Sequence, residues 1–257
     1  MGFLSSPMRK FLYWIPTVLF YLVFMLILLV FHPLQMLGLR MGYIYHKRTV
    51  DAMIWCINHS LLLVGSRIRY DWRFDRKDLP KDRPLILVSN HQSMFDIPTI
   101  GWAFRRHHPK YIAKDSLAKG IPSISYNIRH GGSIAINRKE RTGALAKIDA
   151  FADYLNTHNR AGTIFPEGTR SRDGAMKPFK PGGLLQLLER MPDAVVIPIA
   201  LDGYWKLARY GMKPIPFGTR LTCAVLPPVG REGAAEEVAR RAEAAIRASM
   251  RQEPLVE

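Results

Sequence analysis

Hydrophobic positions fall along the chain in three textures. From Phe11 to Phe31 the run FLYWIPTVLFYLVFMLILLVF carries no charge. At a helical rise of about 1.5 Å per residue it reaches about 30 Å, the thickness of a bilayer's hydrocarbon layer. Such a run predicts a helix in lipid. Arg9 and Lys10 precede it, as they would precede a secretory signal. The run exceeds an ordinary signal core and no A-x-A-like site follows it, so a retained anchor is expected. Pro16 fits a first helical turn or marks a bend.

The second texture is mixed. Val50 to Gly65, VDAMIWCINHSLLLVG, includes Asp51, Asn58 and His59 and reads as an amphipathic, interfacial helix rather than a full span. Between the two segments lie Arg40, Lys47, Arg48 and the triplet Tyr43-Ile44-Tyr45, a mixture suited to the headgroup layer. Residues 1–66 are therefore expected to form a membrane-embedded helical hairpin that enters one leaflet and returns, or whose first helix crosses the bilayer.

From about Ile68 onward short apolar runs alternate with longer mixed segments, the pattern of an α/β domain over residues 67–257 with a sheet flanked by helices. The strands are predicted at Ile68–Phe74, Pro84–Asn90, Tyr111–Ala113, Gly132–Ile136, Thr163–Pro166, Val195–Leu201 and Leu221–Leu226. Helices are predicted at Phe95–Arg106, Arg141–Thr157 and Gly182–Arg190. The stretch GAAEEVARRAEAAIRASMRQ, with Ala and Ile on one face and charges on the other, predicts a C-terminal helix packed on the domain.

Composition adds one fact that the pattern lacks, a formal net charge of +16. Nucleic acid, an anionic membrane surface, acidic carrier proteins and phosphorylated substrates all answer such a charge. The basic residues are scattered and no helix-turn-helix, zinc-finger or RNP pattern occurs, so no nucleic-acid partner is expected. The only cysteines, Cys56 and Cys223, stand far apart, which supports neither a disulfide framework nor a thiolate metal site and fits a reducing, cytoplasm-facing environment. His107 and His108 follow Arg105-Arg106 at a predicted helix end, where cationic side chains are favoured. No H-E-x-x-H or similar spacing is present, and no metal is expected.

The candidate chemistry begins at SNHQSMFD, Ser89 to Asp96. His91 and Asp96 on one continuous helix would face about 140° apart. With His91 in the turn after a strand and Asp96 in the first turn of the next helix, the carboxylate can hold one ring nitrogen and leave the other as a base. A helix capped by Asn90 or Ser93, with Asp96 near its positive end, accounts for the same residues. Further on, TIFPEGTR breaks a strand at Pro166 and exposes Glu167, Gly168, Thr169 and Arg170 in a loop. Gly168 permits close backbone approach to a ligand, Arg170 offers a planar fork for phosphate, and Glu167 can accept from a hydroxyl. Alone, the loop also fits a turn with a surface ion pair.

Taken together in this order, Asn90-His91-x4-Asp96, FPEGTR and the segments from about Leu85 to Leu201 resemble the lysophosphatidic acid acyltransferase family of glycerophospholipid acyltransferases. The resemblance implies the HX4D glycerolipid acyltransferase fold, an α/β domain with a mixed sheet. It implies that His91 is a general base, oriented by Asp96, that deprotonates the free sn-2 hydroxyl of 1-acyl-sn-glycerol-3-phosphate. The oxygen then attacks an acyl thioester, acyl-ACP or acyl-CoA, giving phosphatidic acid. No bound cofactor is implied, because the donor is a second substrate. Backbone N–H groups around Asn90 to Ser93 are expected to stabilise the oxyanion.

The resemblance also places Lys114 of YIAKDSL toward the substrate phosphate and Arg138 of GGSIAINR as a phosphate ligand. Asn137 stands where the family commonly has aspartate, and Ala135 where it commonly has an aromatic residue. Glu167, Gly168 and Arg170, with Thr169 between them, are carried over as acceptor-binding. VVIPIAL, with Pro198, is expected to shape the acyl pocket, and Lys177 and Lys180 either join the anionic site or are simply solvated. The implied location is the cytoplasmic membrane with the domain facing the cytoplasm, and the implied partners are membrane lipid, its anionic surface, and acyl carrier protein or coenzyme A. Another lysolipid acceptor is the nearest alternative, and a non-enzymatic basic membrane- or nucleic-acid-binding protein a remoter one. A hydrolase is disfavoured by the absence of a G-x-S-x-G elbow.

Overall fold

The apolar run and the mixed segment are both helical and are separated by a reversal at Gly42. In the computed structural model, which describes residues 6–137 and 140–251, a short helix α1 (Ser6–Leu12) leads into α2 (Trp14–Met41). By length and composition one helix, Lys10–Met41, is able to cross a membrane among the described residues. Gly42, at φ 123°, reverses the chain, and its carbonyl accepts the first N–H groups of α3 (Tyr43–Ser60) from Tyr45 and His46. That turn starts α3 at Tyr43 rather than Val50, so the aromatic and basic residues of the predicted headgroup layer are themselves helical. Gly38 lies where the two helices meet; a Cβ there would come 3.1 Å from the His46 backbone, too close for most side chains.

Seven strands form one sheet: β1 (Arg67–Trp72), β2 (Leu85–Ser89), β3 (Lys110–Lys114), β4 (Ile134–Ile136), β5 (Ala161–Ile164), β6 (Val195–Asp202) and β7 (Arg220–Val225). Their order is β1-β7-β6-β2-β5-β3-β4. The five strands from β6 to β4 run parallel, whereas β7 is antiparallel to β6 and carries β1 parallel to itself. The sheet is therefore mixed. Between and after the strands lie α4 (Asp96–Ala103), α5 (Ile124–His130), α6 (Arg141–His158), α7 (Gly182–Arg190), α8 (Tyr204–Leu207) and α9 (Ala235–Arg251).

The period-two alternation of strand side chains divides the core between the two faces. Leu85 and Leu87 of β2, with Ile197 and Ile199 of β6, pack toward Phe20 and Leu28 of α2, Met53 and Ile57 of α3, and Ile100 of α4. Ile86, Val88, Val196 and Ala200 point the other way, onto α6, α7 and α9 through Phe151, Leu155, Leu184, Leu187, Ala242 and Ile246. Strands covered on both faces need apolar residues at every position, which is why PLILV reads as an unbroken run. The N-terminal hairpin thus forms part of one covering layer and shares its core with the α/β domain.

Several boundaries move for local reasons. The predicted helix Phe95–Arg106 divides into α4 and a single 3₁₀ turn, Arg105–His107. β4 begins at Ile134 because Gly132 holds φ 88°, outside the strand region. Helices α5 and α8 were not anticipated. His107 and His108 are not cationic end-caps: burial lowers both pKa values, that of His108 to about 3, and its ring stacks on Tyr43. Cys223 is buried in the core, whereas Cys56 is only half-buried.

The docked stripe of α2 is narrow. Phe20 is 1% exposed, while Leu22, on another face, is 65% exposed. Denaturant unfolding in a neutral detergent is expected to show a loss of about 3 kcal/mol for Phe20→Ala, the low end for phenylalanine truncation in a packed core. Leu22→Ala is expected to change stability by no more than about 0.5 kcal/mol.

Candidate active site

Parallel strands present their C-terminal ends at one edge, where the following loops converge. His91 follows β2, Lys114 ends β3, and Glu167 to Arg170 follow β5, so topology gathers them on the same side of the sheet. Arg138, which follows β4, lies outside the described residues.

His91 stands in the turn after β2 and Asp96 is the first residue of α4. The structure brings them together: Nδ1–H of His91 donates to Oδ2 of Asp96 at 2.7 Å. The same oxygen accepts the backbone N–H of Gln92 at 2.6 Å and of Ser93 at 2.9 Å. Asp96 is fully buried, where a carboxylate is tolerable only with such donors around it. With Nδ1 protonated toward Asp96, Nε2 carries the lone pair. Nε2 has no hydrogen-bond partner among the described residues, and the imidazole side chain remains 15% exposed. The ring stacks on Phe165, with centroids 4.2 Å apart and planes inclined by 22°.

The backbone of His91 is clamped from the second loop. Its N–H donates to Glu167 Oε1 at 2.7 Å, and its carbonyl accepts the N–H of Ser171 at 2.8 Å. The other Glu167 oxygen accepts the Lys177 N–H at 2.8 Å. Glu167 is 1% exposed, and burial raises its pKa, partly countered by the N–H groups of Lys177 and His91. Both oxygens of Glu167 are thus occupied by backbone donors rather than directed toward a ligand. Gly168, at φ 70°, makes the reversal after it.

Neighbouring polar side chains secure the same turn. Asn90 exchanges two hydrogen bonds with the Leu201 backbone in β6, at 2.8 and 2.7 Å. Gln92 accepts the N–H of Tyr204 at 3.0 Å, at the start of α8. Gln92 and Phe165 escaped the sequence reading. A buried glutamine beside a histidine after an apolar strand was the available signal for the first, and nothing local marked the second. Of the N–H groups from Asn90 to Ser93 expected to stabilise an oxyanion, those of His91, Gln92 and Ser93 already donate to carboxylates.

Beside Phe165 opens a groove of about 810 Å³, lined mainly by Ile112, Ile148, Ile164, Phe165 and Leu185 and edged by Gly168 and Lys180. VVIPIAL does not line it: Pro198 sits mid-strand in β6 opposite Val88, and the run fills the two cores instead. Lys114, Thr169, Arg170, Lys177 and Lys180 are exposed. Lys177 Nζ donates to the Arg170 carbonyl at 3.1 Å. Among the described residues no His, Cys, Asp or Glu group is arranged to hold a metal ion.

Residues 73–202 match the model of the family described as Acyltransferase. A mouse (Mus musculus) 1-acyl-sn-glycerol-3-phosphate acyltransferase alpha is 30% identical over 67% of this chain and 60% of its own length. A Limnanthes douglasii 1-acyl-sn-glycerol-3-phosphate acyltransferase is 26% identical over 80% of this chain and 68% of its own. The chain spans 60% of the mouse protein and 52% of a sheep (Ovis aries) relative. The crystal structure of the 1-acyl-sn-glycerophosphate (LPA) acyltransferase PlsC from Thermotoga maritima superposes with a TM-score of 0.77 at 24% identity, covering 95% of this chain and 97% of that one. At that identity the likeness is one of fold.

The two backbone bonds of Glu167 give a test that needs no substrate. Glu167→Gln replaces one acceptor oxygen by an NH₂ group that confronts a backbone N–H. Chemical denaturation should register a loss of about 1–3 kcal/mol, the cost of stranding a buried donor.

Proposed function

The chain belongs to the acyltransferase family, and from that premise we propose that it transfers an acyl group from a thioester to the free hydroxyl of 1-acyl-sn-glycerol-3-phosphate. The observation that carries the reading is the His91–Asp96 pair, with an unpartnered Nε2 beside an apolar groove. The acceptor O–H gives its proton to Nε2 as its oxygen bonds to the thioester carbonyl carbon. Asp96 stabilises the imidazolium that forms. Collapse of the tetrahedral intermediate breaks the C–S bond, and Nε2–H returns the proton to the departing thiolate. The products are phosphatidic acid and free thiol. A thioester is already activated, so base catalysis, typically worth about 10²–10⁴-fold, and proximity are the main tasks left to the chain.

In this reading Lys114, Arg138 and Arg170 receive the acceptor phosphate, with Thr169 and Gly168 bounding the same loop. Glu167 takes a different part from the one the resemblance implies: it positions the base by holding the His91 backbone. The groove beside Phe165 takes an acyl chain. Acyl carrier protein and coenzyme A are both suitable donors, since each presents a thioester with anionic groups to a strongly basic surface.

The helical hairpin anchors the domain in lipid. One stripe of α2 is docked on the domain from Thr17 through Leu28 and onto α3 at Gln35, and the exposed remainder, including Ile15, Leu26 and Leu37, is apolar. A helix bound along its length to a water-soluble layer fits insertion from one side better than a free span. Anchoring at the cytoplasmic face agrees with the two unpaired cysteines.

A panel of acyl-ACP and acyl-CoA donors against several lysolipids, with purified protein in lipid, tests reaction and specificity together. Esterification of 1-acyl-sn-glycerol-3-phosphate should dominate. Preference for an acceptor without a phosphate monoester would transfer the reading to another lysolipid, and release of free fatty acid alone would replace it by hydrolysis. His91→Ala should reduce kcat/KM at least about 10²–10⁴-fold in folded protein. Arg170→Ala should chiefly raise the acceptor KM about ten- to hundredfold, the worth of a hydrogen bond to a charged group at about 1.5–3 kcal/mol.

A further inference from the structure

The edge of the sheet opposite His91 holds a second concentration of charge. There, where β3 and β5 begin, a small cavity is lined by His46, Lys47 and Asp51 of α3 and by His108 and Lys110. Lys110 is only 7% exposed. Its ammonium lies 5.2 Å from the centre of the Tyr43 ring, and among the described residues it has neither a hydrogen-bond acceptor nor a carboxylate within ion-pair distance. The guanidinium of Arg160 lies over the same ring at 4.9 Å, and its buried Nε has no partner. His46 is 1% exposed, and its Nε2 is likewise buried and unpartnered.

The cavity's single carboxylate, Asp51, is already engaged by Lys47. Lys47 and Lys110 in the lining, with Arg160 on the other contact to the Tyr43 ring, therefore outnumber it, and Lys110 is buried. The consequence appears in the titration of the groups. Burial, with Arg160 adding to it, lowers Lys110 to about 8, and burial with Lys110 beside it lowers His46 to about 4. A buried cation without a partner is costly, and here several unpaired donors share one space.

We propose that this cavity binds a phosphate-type oxyanion, with Lys110 and Lys47 as its charge partners and His46 Nε2–H as a neutral donor. An oxyanion supplies the acceptors that these donors lack and cancels the excess positive charge. Because its ligands come from α3 and from β3, an occupied site ties the N-terminal hairpin to the sheet at the end away from the catalytic turn. The same chemistry is offered by free phosphate and by the headgroup of an anionic phospholipid. The inference does not depend on acyl transfer, and its test involves no turnover.

The test is thermal unfolding of the full chain in a neutral, phosphate-free detergent, with sodium phosphate replacing sodium chloride at constant ionic strength. A parallel arm adds phosphatidylglycerol to the micelles in phosphate-free buffer. Arg170→Ala controls for anion binding at the catalytic edge, and Lys110→Met and His46→Leu remove ligands of the cavity. At least one probe should raise Tm by several degrees in the wild type and in Arg170→Ala. The rise should vanish in Lys110→Met and shrink in His46→Leu, and Lys110→Met in chloride should be no less stable than wild type. A shift from inorganic phosphate identifies the free anion as sufficient, and one from phosphatidylglycerol alone identifies a headgroup. A shift that survives both cavity substitutions, or no shift from either probe, overturns the proposal.

Discussion

A single carboxylate oxygen, Oδ2 of Asp96, organises the site by collecting the imidazole N–H of His91 and the main-chain N–H groups of Gln92 and Ser93. Three donors on one atom do two things. They make a buried anion tolerable, and they fix the turn from which the imidazole projects, so that ring orientation and backbone path are set by the same contact. Glu167 repeats the device at the next level, receiving the His91 N–H on one oxygen and the Lys177 N–H on the other. Apart from the His91 ring, the partners of these two acids are main-chain N–H groups, with no lysine or arginine in ion-pair contact among the described residues. The cationic side chains at this edge consequently remain exposed and available to an anion.

The sheet explains why so few residues suffice. Five parallel strands deliver the His91 turn, the Glu167 loop and Lys114 to one edge without long excursions of the chain. Asn90, reaching the Leu201 backbone, and Gln92, reaching the start of α8, stitch the turn to segments more than a hundred positions away in sequence. Such long-range bonds form only once the sheet has assembled, so the placement of the His91 turn is a product of global folding rather than of a local motif.

Legibility in the sequence follows from whether the cause is local. The central strands β2, β5 and β6 were readable because a strand buried on both faces has little room for charge, and the histidine–aspartate pair was readable because five positions span a strand-to-helix turn. The backbone partners of Glu167, the N–H groups of His91 and Lys177, were not legible, since His91 lies far away in sequence. His108 was misread because its basic neighbours suggest a solvated end, whereas the ring stacks under Tyr43. Helix α5 was lost among the loop-like residues Gly120, Pro122 and Ser123. The docking of α2 was hidden for a different reason: an apolar run looks the same whether protein or lipid surrounds it. Its polar exceptions, Thr17 and Gln35, mark the buried side, where Thr17 meets the Ile215 N–H and Gln35 meets Met53.

Phe95, the residue immediately before Asp96, is enclosed edge-on by the rings of Phe20 and Phe24 on α2. The turn that carries the His91 ring is thereby tied to α2 through two edge-on aromatic contacts beside its carboxylate partner. On the reading proposed above, with α2 in lipid and His91 as the base, an amphiphilic acceptor moving within the leaflet meets that base by lateral diffusion, a search in two dimensions rather than three, without its tail being drawn out into water.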